Sequence, residues 1–270
     1  MKTFANNLAA LMPEGITLPP ELTQTFDWLE DQGGLVVRRA GAPEDHTLMI
    51  YPPELHNHPA ASHFGFVGTA LPYTSNWTTP DPSVDARIAE IGETSGDGGR
   101  LAIWLDDAGK QHFVHIGHDT LGVITDDPAV LLQFLAMGYP EPGYLPQTDR
   151  LPLACYLSNV GVDRIEDLPE QDRPVPPVAF QTFLKHRFNL DIPATAQDLG
   201  ITPFPEYHDS DTDDPFARWI AANTPEPNDA DLAYELELMR AVETLDLKDD
   251  DTSDAIMAKI GSLFTSNSGK

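Results

Sequence analysis

Histidine offers the most visible chemistry in this sequence. Nine are present; His56, His58 and His63 crowd one short stretch, and His112, His115 and His118 another. Zinc needs three or four converging donors, usually steadied by carboxylates behind them. A metal-dependent hydrolase built on the histidine-bearing loops is therefore one reading. His56-Asn57-His58 also spells the letters of a nuclease class. That class, however, spreads its residues over a ββα unit around a metal. His112 and His115 are three apart on an expected strand and so face opposite sides of a sheet. The histidines are read as loop and surface residues, with no metal ligands among them.

Other constellations are thinner. Gly96-Asp97-Gly98-Gly99 has the glycines of a phosphate cradle but no Lys-Ser/Thr after it, and a strand follows where a helix is needed. A sharp turn explains it better. The sequence contains no Ser-x-x-Lys, Gly-x-Ser-x-Gly or His-Glu-x-x-His. Cys155 is the single cysteine and suits a core thiol. No catalytic residue and no cofactor are expected, which directs attention to binding.

Charge bears on the partner. Asp and Glu number 43 against 16 Lys and Arg, a net −27 spread as −13 over residues 1–150 and −14 over residues 151–270. Such a surface repels nucleic acid and anionic membranes and speeds association with a basic protein. It also serves solubility. No run approaches the roughly 20 apolar residues of a membrane span. The first residues, broken by Asn6 and Asn7, do not read as a signal peptide, so a cytoplasmic location is expected and the Asn76-Trp77-Thr78 sequon carries no meaning.

The elements that must position any site follow from periodicity and punctuation. Pro19-Pro20 opens a helix with Leu22, Phe26 and Leu29 at helical spacing, and Gly33-Gly34 ends it. Strands are expected at 35–37, 46–51, 64–71, 87–92, 100–105 and 111–116, with Asp106-Asp107-Ala108-Gly109 as a hairpin turn. Asp127-Pro128 and Asp213-Asp214-Pro215 both start helices, the first burying Val130, Leu131, Phe134 and Leu135. Further helices are expected at 180–188 and 229–247. Strands in local hairpins between helices indicate α+β. The expected fold is a mainly antiparallel sheet with flanking helices, followed by a mostly helical C-terminal extension. The domains are read as 1–147 (α+β, folding alone), 148–222 (helical extension) and 223–270 (acidic and helical). Trp104, Phe113, Phe134 and Leu135 belong to the expected core.

Residues 87–138 resemble the SUKH superfamily, in which bacterial immunity proteins and fungal cell-wall regulators are found. The likeness lies in Ile88-Ala89-Glu90-Ile91, Gly96-Asp97, Leu101 to Asp106, Gly109, Val114-His115 and the helix from Pro128 to Met137. It departs from the family over 35–85 and lies outside it beyond 145. The resemblance implies an α+β fold, protein binding without catalysis, and an immunity-type role that neutralises a toxin, with a basic toxin domain as partner. A regulatory or scaffolding module is the alternative. The oligomeric state is left open. The expected partner-binding positions are Asp97, Asp106 and Asp107 at turns, with Trp104 as the nearby aromatic, although strand alternation turns it toward the core.

Overall fold

The structure, a computed structural model, describes residues 3–37, 46–68, 72–76, 79–96, 98–207, 209 and 211–225. The chain divides into two compact units, Met1–Asn223 and Thr224–Lys270. The expected helix at 229–247 and Asp97 lie outside the described residues.

The first unit is α+β. Seven strands, β1 (Leu35–Val37), β2 (His46–Met49), β3 (Gly65–Val67), β4 (Ile88–Glu93), β5 (Arg100–Leu105), β6 (Gln111–Ile116) and β7 (Leu121–Thr125), form one sheet. They lie in sequence order, and every neighbouring pair is antiparallel. A meander of this kind needs only local connections, which is why the hairpin signals were readable in the sequence.

Alternation along β4–β6 sends side chains to two faces, and both are buried. Ala89, Ile91, Leu101, Ile103 and Phe113 face a large core closed by α1 (Phe4–Leu11), α2 (Pro20–Asp31), α4 (Pro128–Ala136) and α6 (Val178–Phe188). Ile88, Ala102, Trp104, Val114 and Ile116 face a smaller core with Val84 of α3 (Pro82–Asp85) and Phe216, Ala217 and Ile220 of α7 (Pro215–Asn223). Between α4 and α6 lies the short α5 (Pro152–Asn159). Trp104, Phe113, Phe134 and Leu135 are all buried, as expected.

Residues 148–223 are integral to this unit. Trp28 of α2 stacks on Phe183 at 4.4 Å, Gln181 donates to the Ala136 carbonyl, and Tyr139 hydroxyl accepts from Ala196 N–H. The break in the chain's packing falls at Asn223 and not at 147. Both Asp-Pro pairs work as helix starts. Asp127 accepts from Ala129 N–H, and Asp214 accepts from Phe216 and Ala217 N–H. Asp214 also takes the Val123 N–H of β7 with its other oxygen, at 2.8 Å, and so fastens α7 to the sheet edge.

Candidate protein-docking cleft

The β5–β6 turn is built by its own carboxylate. Asp106 Oδ1 accepts from Ala108 and Lys110 N–H at 2.9 and 2.8 Å, and Gly109 sits at φ 79, where a Cβ would be strained. Asp106 Oδ2 accepts from His112 Nε2 at 3.0 Å, and this hydrogen bond, with those from the backbone, holds the carboxyl below the usual aspartate range. Asp106 is therefore occupied within the turn. Asp107 points outward with its side chain 81% exposed, pairing with Arg87 Nη1 at 2.7 Å.

Beside this turn a cleft of about 860 Å³ opens between the hairpin end and α7. Its walls include Arg87, Trp104, Asp106, Asp107, Arg218 and Trp219. Arg87 is fixed from three sides: Nε donates to the Leu105 carbonyl at 2.6 Å, Nη1 to Asp107, and its guanidinium carbon lies 5.5 Å from the Trp219 ring centre. Trp104 is only 3% exposed, with ring centroids 5.3 Å from Phe216 and 5.6 Å from Trp219. It forms the floor of the cleft and part of the second core, so the partly exposed aromatic is Trp219, at the middle of α7.

Three of the four expected partner-binding residues, Trp104, Asp106 and Asp107, thus line one cleft. Arg87 and Arg218 carry no such expectation, and Trp219, which helical spacing places with Phe216 and Ile220 as a buried residue of α7, is half-buried at the cleft instead. The sequence signal for α7 was present in Asp214-Pro215, but no local pattern pairs position 219 with positions 87 and 104.

The histidines divide as strand geometry requires. His112 lies against Trp104 on the second face, at 5.3 Å between ring centroids. His115 is buried on the other, its Nδ1 3.0 Å from Thr94 Oγ1 and its Nε2 3.3 Å from Thr120 Oγ1. Gly143 packs so closely on His115 that a Cβ there would fall 2.4 Å from the ring. His56, His58 and His63 line a second cleft of about 470 Å³ with Glu93, Arg100 and the glycine turn. His56 Nε2 donates to the Tyr51 carbonyl, and His58 Nδ1 accepts from Ala60 N–H, so each ring is tied into its own loop. Among the described residues no three His, Cys, Asp or Glu side chains are grouped to hold a metal ion.

Among the described residues no helix is long and apolar enough to cross a membrane. No protein-family model, no curated protein and no solved structure matches the chain. The α+β antiparallel sheet defines the class of fold, and the cleft is the feature from which a function can be argued.

Proposed function

We propose that this protein acts by binding another protein, without catalysis of its own, and that the cleft between the β5–β6 turn and α7 is its docking surface. The observation that carries the reading is the composition of the cleft: Trp219, Arg87 and Arg218 gathered around a buried Trp104 floor. Tryptophan and arginine are the residues that dominate binding energy at protein interfaces, because they combine large area with directional donors. The SUKH resemblance supplies the specific form, an immunity-type inhibitor of a basic toxin domain. The net charge of −27 supports that form through long-range steering of a basic partner.

The test uses the full chain and the protein it captures from its native host. Association is expected to slow as salt rises while dissociation changes less. Trp219→Ala is expected to weaken binding by about 2 kcal/mol or more if the ring is an anchor. Asp163→Lys, an exposed change that lines no part of the cleft, serves as the control. Equal losses from Trp219→Ala and the control, or no loss from Trp219→Ala, would remove the cleft from the docking surface.

A further inference from the structure

The geometry points to a carboxylate, carried on an aspartate or glutamate side chain of the docked partner, as the group that enters this cleft beside Trp219. The inference rests on the docking reading above and deepens it.

Its basis is an imbalance of donors and acceptors in the cleft wall. Arg87 uses Nε on the Leu105 carbonyl and Nη1 on Asp107, but Nη2 is buried and has no hydrogen-bond partner. Trp104 Nε1 is likewise buried and without a partner. A buried donor with no acceptor is costly, the more so when it is charged, so two in one wall are an uncommon arrangement. The nearby carboxylates do not satisfy them. Both oxygens of Asp106 are engaged by the turn and by His112, and Asp107 already holds Arg87 Nη1. At the rim Arg218, an exposed side chain, adds a second guanidinium. The wall therefore offers donors and needs an acceptor.

A carboxylate fits this demand. Its two oxygens match the fork of a guanidinium, and an indole N–H can only donate. Trp219 packs over Arg87 and against Trp104, so the incoming group reaches these two buried donors only if that ring moves aside. The net charge of −27 opposes a free anion at long range. A carboxylate borne by a partner that is basic overall escapes this repulsion, because the partner's own charge steers the encounter.

The experiment observes the indole N–H resonances of the four tryptophans in ¹⁵N-labelled full chain, with Trp104 assigned by Trp104→Phe. Glutarate is titrated at constant ionic strength, with glutaramide as the uncharged control. The Trp104 indole proton is expected to move downfield saturably with glutarate and not to respond to glutaramide. Arg87→Met is expected to weaken glutarate binding tenfold or more. If Arg87→Met loses the native indole pattern, Arg87→Lys, which keeps the charge without the fork, is expected to weaken it severalfold. A non-saturating response, an equal response to the diamide, or an affinity unchanged in a folded Arg87 variant overturns the inference. Loss of the glutarate response while Trp219→Ala still abolishes partner binding rejects this inference alone. A glutarate response with partner binding indifferent to Trp219→Ala rejects the docking reading alone.

Discussion

Asp214 is the position at which one substitution should loosen both the sheet edge and the cleft. Its Oδ1 accepts from Phe216 and Ala217 N–H at 2.9 Å each, capping α7, and its Oδ2 accepts from Val123 N–H of β7 at 2.8 Å. Asp214→Ala removes the cap, worth about 1 kcal/mol, and strands the Val123 N–H at about 1–3 kcal/mol. The expected total is about 2–4 kcal/mol. Asp214→Asn separates the two contributions. Its single amide oxygen can still cap the helix, but the amide nitrogen turned toward Val123 is a donor facing a donor, so the cost should be about 1–3 kcal/mol. Urea unfolding followed by far-ultraviolet circular dichroism gives the stabilities. Tryptophan fluorescence reports the packing of Trp104 and Trp219, which share the cleft wall. A loss below about 0.5 kcal/mol for Asp214→Ala, the size of an ordinary surface change, would refute the assignment of Asp214 as the fastening between α7 and β7.

Three further outcomes are expected. A chain ending at residue 147 loses Phe180, Leu184, Ile201, Phe216 and Ile220, all buried; at about 1.5–3 kcal/mol each the lost burial is roughly 8–15 kcal/mol, as large as a whole domain's stability. Such a fragment should show no cooperative unfolding transition, and a sharp one would restore 1–147 as an independent domain. Asp106→Lys should cost about 1–3 kcal/mol because it removes two backbone-to-carboxylate hydrogen bonds of the turn, each worth about 0.5–1.5 kcal/mol net, whereas Asp107→Lys, at an exposed site, should stay within about 0.5 kcal/mol; equal effects in thermal unfolding would contradict the turn geometry. Burial, against the partial relief of Arg100, raises the Glu90 carboxyl above the ordinary glutamate value. Ionised Glu90 therefore costs stability at neutral pH, and that cost is relieved as pH falls through its folded value. Asp81, Asp106 and Asp126 are lowered by their hydrogen bonds, so their stabilisation is present above the ordinary aspartate value and is lost as pH falls through their folded values. Glu90→Gln should raise neutral-pH stability and remove the first dependence only, as read from urea midpoints across pH 3–8 (about the range set by these groups).

The elements legible in the sequence are those with local signals. β5 and β6 fall at 100–105 and 111–116 as expected, because a two-residue alternation runs into an Asp/Gly turn on either side. The Pro-Pro start at 19–20 and the Asp-Pro starts at 127–128 and 214–215 also mark real helices. α1 has no comparable local signal: it is eight residues long and Thr3 makes no capping bond. Only its packing, such as Phe4 against Phe26 at 5.2 Å, justifies it. β7 carries apolar strand formers at Leu121, Val123 and Ile124, but Gly122 and the short length leave no clear alternation to read. The division at 147 was expected from a proline-rich stretch, yet Pro142 and Gly143 are buried and the chain continues across the core. Composition reports a turn there; it cannot report that Phe180 and Phe183 return to Trp28.

The late segment has two roles at the β7 side of the sheet, and they bear on how the cleft can evolve or be altered. β7 is an edge, and an uncovered edge invites pairing with other chains. Here the chain returns: Leu121 N–H donates to the Pro205 carbonyl, Thr120 bridges Glu206, and Tyr207 N–H donates to the Asp119 carbonyl. Asp214 then takes Val123 N–H, and α7 crosses onto the second face to bury Phe216 and Ile220 beside Trp104. The same helix turns Arg218 and Trp219 toward the hairpin end. Phe216 and Ile220 anchor the helix from beneath, while Arg218 is exposed and Trp219 half-buried. Binding chemistry can therefore change at 218 without disturbing the anchor, whereas Trp219, stacked on Phe216 with ring centroids 6.3 Å apart, shares in it, and a change at 214, 216 or 220 alters the cleft by moving its wall. Substitutions at Arg218 are therefore the cleanest probe of docking, Trp219→Ala reads docking once its unfolding midpoint has been measured beside it, and substitutions at Phe216 probe folding.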